Sequence, residues 1–237
     1  MSVTGAGRPR LATKKRPGDT AREEILDASA ELFTTRGYTN TSTRMIADAV
    51  GLRQASLYHH FSNKDDILDS LLSGTVDEPL AVGQGIQGVE ESAVVKMYAM
   101  AWFDADQLSR SRWNLGALYL LPELRTDRFG SFRESRFTLM NLYATIAGGV
   151  VQELESDVSA GTEELPFRLV ETIVNGRADT ENGRGSAGLH HASLIATAAV
   201  RVLGFPGDID GIHDRAVRVV ADVTASSIFE KKAGHGQ

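Results

Sequence analysis

Apolar side chains recur at helical spacing through residues 19–72. Ile25, Ala28, Leu32 and Phe33 mark a first helix. Asp19 or Thr20 can cap it, Glu23 and Glu24 suit its first turn, and Gly37 ends it. Thr41-Ser42-Thr43 then precedes Met45, Ile46, Ala49 and Val50, which predicts a capped helix of about two turns. Gly51 stops that helix and Leu52 points inward. Gln54 to His60 forms a further short helix, and Ser62 or Asn63 caps a fourth carrying Ile67, Leu68, Leu71 and Leu72. Short connections force neighbouring helices to pack on one another, and a tight glycine turn between the middle pair is the pattern of a helix-turn-helix.

Longer helical segments follow. The pattern predicts helices over Glu90 to Leu108, Arg112 to Leu121 (closed by Pro122), Asp127 to about Ser159, Leu165 to Val174, His190 to Leu203 and Ile212 to Phe229. No β-alternation of useful length and no internal repeat interrupts them, so the chain reads as all-α.

Charge changes this picture. The net charge of -6 argues against nucleic acid, but its distribution does not. Residues 1–64 hold ten Lys/Arg and six Asp/Glu, +4, while the remainder holds 15 basic and 25 acidic residues, -10. The basic quarter is either a polyanion-binding module or a solvated tail, since Arg8, Arg10, Lys14, Lys15 and Arg16 all lie at the very start. Residues 1–18 are rich in Gly, Pro and basic residues and should be a disordered arm. Within it Gly7-Arg8-Pro9-Arg10 resembles the core of minor-groove hooks, against which stands a plain flexible tail. There is no cysteine, no secretory signal and no apolar run near the ~18 residues of a membrane span, which together lead to the expectation of a cytoplasmic protein without membrane association.

Candidate chemistry is sparse. Gly83/Gly85/Gly88 and Gly183/Gly185/Gly188 both match G-x-G-x-x-G, but neither follows a strand, so both read as linkers between helices. His190 and His191 are adjacent and do not share a helix face, which suits capping or packing better than a metal. Asp104 and Asp106 point in roughly opposite directions and make poor acid/base partners. No catalytic constellation, metal site or cofactor motif is found. Trp102, Phe103, Trp113, Tyr119, Phe129, Phe132, Phe137 and Tyr143, with Tyr98, Met97, Met100 and Met140, either form a plain core or wall an apolar cavity. Arg110, Arg112, Asp104 and Asp106 are the candidate polar contacts there. Small and β-branched stripes on the last two segments (Ala192, Ile195, Ala196, Ala199, Val200; Ala216, Val217, Val220, Val223, Thr224) suit the chain's own core or a self-associating four-helix bundle.

From Thr43 to Lys64 the sequence resembles the TetR family of bacterial transcriptional repressors. The resemblance rests on Ile46-Ala47, Gly51-Leu52, Leu57-Tyr58-His59-His60-Phe61, Lys64 and Leu68, and covers about residues 20–72. It implies a three-helix DNA-binding domain at 19–72 and a ligand-binding and dimerisation domain at 73–237, with a cavity among the middle helices and pairing through the last two. It further implies a homodimer on a pseudo-palindromic double-stranded operator, released by a small-molecule effector. The residues it sets against DNA are Ser42, Thr43, Arg44, Arg53, Gln54, Ala55, Ser56, Tyr58, His59, His60 and Lys64. Ser42 and Thr43 start a helix whose free N–H groups can hold a phosphate. Gln54 and Ser56 open a recognition helix whose first residues reach base edges, and Gln suits adenine. Leu57 and Phe61 would hold that helix against Ile25, Phe33 and Ile46. Tyr98, Trp102, Phe103, Trp113, Tyr119, Phe137, Met140 and Tyr143 are the expected pocket. Arg53 departs from the family's usual Ser or Thr, and Met45 from its frequent acidic residue, so no capping box closes there. An all-α enzyme with a helical cavity and a protein-binding helical adaptor are the alternatives.

Overall fold

The computed structural model describes residues 16–181 and 192–234. Gly183/Gly185/Gly188, His190, His191 and the Gly7–Arg10 hook lie outside the described residues. The described residues form helices and turns with no strand. The chain divides into two units, Met1–Ser70 and Leu71–Gln237.

The first unit holds α1 (Ala21–Arg36), α2 (Thr43–Val50), α3 (Gln54–Leu57) and the start of α4 (Lys64–Gly88). Thr20 and Glu23 close a reciprocal capping box on α1: the Glu23 N–H donates to the Thr20 hydroxyl (3.2 Å) and the Thr20 N–H to the Glu23 carboxylate (3.0 Å). Ser42 caps α2 by accepting from the Met45 N–H at 3.2 Å. Gly51 ends α2 in the left-handed region, φ 73° and ψ 28°, where a side chain costs energy, and its N–H bonds back to Ala47 and Asp48. The third helix is shorter than the pattern predicts. Regular helix stops at Leu57, and Tyr58 to His60 continue as a turn through His60 and Phe61 N–H bonds to the Leu57 carbonyl. Asn63 caps α4, accepting from the Asp66 N–H at 2.9 Å.

α4 runs on into the second unit, and here the predicted linker fails. Gly83 and Gly85 lie inside the helix and Gly88 ends it. A Cβ on Gly83 would meet Met100 at 2.6 Å and Leu142 at 2.8 Å, and one on Gly85 would strike Val223. These glycines are notches for close helix packing, and packing overrides their poor helix propensity.

The second unit centres on α5 (Ala93–Arg110). Nine of its side chains are buried, from Val94 to Ala105 on nearly every face, as expected of a helix enclosed by others. It packs against α8 (Ala192–Val202), α9 (Asp210–Gly234), α6 (Gly130–Glu153) and α7 (Leu165–Glu181). The small-residue stripes of α8 and α9 are taken up in this packing: Ala192, Ile195, Ala196, Ala199 and Val200, with Ala216, Val220 and Val223, are buried inside the chain. In place of the helix predicted over Arg112 to Leu121 stands one 3₁₀ turn, Leu115–Leu120, followed by two more at Pro122–Arg125 and Asp127–Phe129. Pro122 cannot continue a helix. Gly116 is pressed onto Val174 of α7, and the Asn114 side chain donates to the Val174 carbonyl at 2.8 Å, which pins the segment in this form.

Candidate nucleic-acid interface and cavity

In the first unit, Ile25, Phe33, Ile46, Leu57, Phe61 and Leu68 are all buried. They fix α3 on α1 and α2, and the polar positions between them are left outside. Ser42, Arg44, Arg53, Gln54, Ala55, Tyr58, His59 and His60 are exposed, and Thr43 and Ser56 half-buried. Three of these are already joined. The Gln54 amide donates to the Thr43 hydroxyl at 2.9 Å and lies 3.4 Å from the Tyr58 hydroxyl, and the two hydroxyls are 3.1 Å apart. Tyr58 keeps 47 % of its surface exposed. The result is a preset polar triangle spanning the start of α2, the start of α3 and its end, with acceptors and donors free toward solvent. Arg53 makes no side-chain cap on α3, so its guanidinium is an added charge on the same surface.

Lys64, which the resemblance sets against DNA, has its ammonium engaged within the protein. Its ammonium donates to the carbonyls of Tyr38 (2.8 Å) and Thr41 (3.0 Å) and sits 4.0 Å from the Tyr38 ring centroid. It is turned onto the bend before α2, because that bend offers two carbonyls with no helical partner. The Thr41 hydroxyl closes the same bend by donating to Gly37 at 2.9 Å. Tyr38 in turn bonds Asp65. Lys64 therefore holds the helix start that presents Ser42 and Thr43. Arg16, which precedes α1, is tied to Asp27 and Glu31 on that helix.

The second unit contains a cavity of about 770 Å³. The 3₁₀ segment walls it with Tyr119, Leu121 and Leu124, α6 with Phe132, Phe137 and Met140, and α7 with Val174 and Ala178. Arg125, Arg133, Arg136, Arg168 and Glu171 add charge to the lining. Tyr119 donates to the Thr75 hydroxyl of α4 at 2.6 Å, and burial pushes its hydroxyl pKa up to about 12. Arg136 bonds Glu171, which also accepts from Arg168 at 2.8 Å. Leu120 (88 % exposed) and Phe137 (59 %) leave large apolar surfaces uncovered where they line it.

Of the aromatic and methionine positions singled out from sequence, Tyr119, Phe132, Phe137 and Met140 line this cavity. The others sit elsewhere. Tyr98 is buried with its hydroxyl 3.2 Å from His213 Nδ1, and Trp102 stands edge-on to the same imidazole. Phe103 is half-buried on α5, and Trp113 lies under Arg112. Tyr143 is fully buried and donates to Asp104 at 2.9 Å. Burial raises the Asp104 pKa to about 7 and the negative Glu171 adds to the rise, both opposed by the Tyr143 bond. Burial likewise pushes the Tyr143 hydroxyl well above its usual value. Asp106 pairs with Arg110 at 2.8 Å on the same helix, and neither reaches the cavity lining. The charged lining was missed: Arg133 and Arg136 recur at three- and four-residue steps with Phe132, Phe137 and Met140, a face visible in the sequence. Among the described residues no group of three or more His, Asp or Glu could hold a metal, and no helix is long and apolar enough to cross a membrane.

A glycine-turned helix pair with an exposed polar face, attached to a larger helical body, defines a helix-turn-helix DNA-binding regulator. The comparisons agree. The sequence model described as "Bacterial regulatory proteins, tetR family" matches residues 25–71. The crystal structure of Mycobacterium smegmatis AmtR is 51 % identical, superimposes with a TM-score of 0.81, and is matched over 88 % of this chain and 98 % of that one. The HTH-type transcriptional repressor KstR2 of Rhodococcus jostii (strain RHA1) is 36 % identical over 153 residues, 63 % of this chain and 74 % of the relative. The ketosteroid transcriptional regulator KstR2 of Mycobacterium tuberculosis, at 20 % identity and TM-score 0.59 over 81 % of this chain and 97 % of that one, shares the fold. The chain belongs to the TetR family of bacterial regulatory proteins.

Proposed function

We propose that this protein is a homodimeric cytoplasmic repressor that occupies a pseudo-palindromic operator and leaves it when a small molecule fills the cavity of the second unit. The observation that carries the reading is the Gln54–Thr43–Tyr58 triangle. A polar group held in register on a rigid, glycine-turned scaffold is arranged to meet base edges and phosphates together. Repression is supported by the R. jostii relative, which is a transcriptional repressor. The cavity of about 770 Å³ is of the size that takes a drug-sized molecule, ~300–1,000 Å³. Pairing of two copies would use the α8 and α9 surfaces turned away from α5, where Leu194 is 48 % exposed.

Selection from random duplexes should enrich a palindrome, and affinity for it should fall with salt at a log–log slope of about -0.9 per phosphate neutralised. Gln54→Ala should relax preference at one position of each half-site, with about 1–3 kcal/mol of discrimination lost. If selection enriches no two-fold motif, the reading fails.

A further inference from the structure

The cavity's charge is out of step with the chain around it. Residues beyond 64 carry 15 basic and 25 acidic side chains, yet the cavity collects Arg125, Arg133, Arg136 and Arg168 against the single carboxylate of Glu171. Four arginines and one glutamate leave a local charge of +3. Charge segregated in this way inside a lined hollow marks what the hollow receives.

The hydrogen bonds show which arginines are available. Arg133 is committed to the protein's own backbone, donating to the Leu124 carbonyl at 2.6 Å and the Thr126 carbonyl at 2.5 Å. Arg136 and Arg168 differ, because they share one carboxylate, Glu171. That trio carries one uncompensated positive charge. The Nε of Arg136 is buried and has no acceptor. Its guanidinium is nevertheless held in place, 5.6 Å from the Tyr119 ring centroid and 5.2 Å from that of Phe167. A fixed planar cation with a buried unmet donor is a preorganised half of a carboxylate site. Beside it the wall turns apolar, with Phe132, Phe137 and Met140 along α6.

We propose that this cavity takes an amphipathic organic monocarboxylate, its head against Arg136 and Arg168 and its apolar body along Phe132, Phe137 and Met140. The inference rests on the reading of the cavity as the effector site and names the effector's chemical class. A single negative charge matches the trio's single excess. A phosphate dianion would place a second charge against Glu171 with no further free cation in the trio. Glu171 is then the head's internal stand-in: it occupies the two guanidiniums until a ligand carboxylate competes for them, and the competition acts on a bridge that joins α6 to α7.

The test is calorimetric titration of the full-length protein, without DNA, with saturated carboxylates of eight to twelve carbons and phenyl-substituted alkanoates of similar size. Each acid is paired with its primary amide, and decyl phosphate is included. At least one acid should bind about 10-fold or more tightly than its amide, with the difference shrinking as salt is added. Arg136→Met keeps the apolar stem and should bring the acid to the level of its amide while leaving amide binding unchanged. Arg168→Met should do so in part, which covers the case in which the first variant fails to fold. Glu171→Gln should tighten the acid by removing its competitor. The inference is overturned if no acid in the series binds, if acid and amide bind alike, if both arginine variants keep the preference, or if decyl phosphate binds more tightly than the acids. Operator release is measured separately. An acid that binds with this preference yet leaves operator affinity unchanged sinks the effector reading alone. An uncharged compound that fills the cavity and releases the operator, with every acid silent, sinks the carboxylate inference alone.

Discussion

Asp104 offers a stability change whose size and sign both follow from where it sits. Its carboxyl is buried between α5 and α6 with the Tyr143 hydroxyl donating to it at 2.9 Å. Burial, with Glu171 adding to it, moves its pKa from 3.8 to about 7. At ~1.4 kcal/mol for each tenfold change in proton affinity, that rise makes the ionised form about 4 kcal/mol less favourable in the fold. The folded chain holds this proton up to about pH 7 and the unfolded chain releases it near 4, so the folded state binds more protons in between. Stability is therefore lost as pH rises through that window, the opposite of a salt-bridged aspartate. About 1.7 kcal/mol is already lost at pH 5 and about 2.5 kcal/mol more by pH 8. Asp104→Asn keeps the shape and the acceptor for Tyr143 but cannot ionise. Urea unfolding of both proteins at pH 5, 6, 7 and 8 should show the variant's advantage growing by about 2–3 kcal/mol across the series. Comparing two proteins at each pH cancels the other titrating groups. An advantage that grows by less than about 1 kcal/mol would show that the Asp104 site admits water or a counter-charge and would refute the argument.

Three further outcomes follow from the packing. Lys64→Met should cost about 2 kcal/mol of protection around residues 38–43, read by amide hydrogen exchange, because two charge-assisted bonds to Tyr38 and Thr41 go. It should weaken binding to all duplexes alike while leaving base preference intact; a change in preference would place the ammonium at a base instead. Gly85→Ala should destabilise by about 1–3 kcal/mol, since its Cβ strikes Val223. Gly74→Ala, where the added Cβ meets nothing within 4 Å, should gain up to about 1 kcal/mol in the same urea assay, and equal effects at the two glycines would refute the notch reading.

What could be read from sequence followed the range of the interactions. The first unit's helices are set by neighbours: the capping box at Thr20 and Glu23, the Ser42 cap, the Gly51 turn and the spacing of Ile46, Leu57 and Phe61 all act within a few residues. Their pattern was legible for that reason. α4 was not, because the fit of Gly83 against Met100 and of Gly85 against Val223 is decided by residues far along the chain, and no local rule distinguishes such a glycine from a linker glycine. The same holds for the 3₁₀ wall, pinned by Asn114 to Val174, and for the pairing of Arg136 with Glu171, 35 residues apart. Aromatic content marked the middle of the chain but could not separate Tyr119, on the cavity, from Tyr143, sealed against Asp104. Lys64 shows a different limit: its spacing was recognised, while its direction depended on two carbonyls that only the folded bend brings within reach.

The separation between the residues that hold α3 and those it displays also governs how the protein can change. Ile46, Leu57 and Phe61 are buried and carry the scaffold, and Arg44, Arg53 and Ala55 are exposed. If the proposed function holds, a lineage can rewrite these exposed positions one at a time, and so move to new operators, while the scaffold stays folded. Gln54, Thr43 and Tyr58 are the exception. Each is bonded to the others, so replacing one removes its partners' bonds, and the three should be inherited as a block.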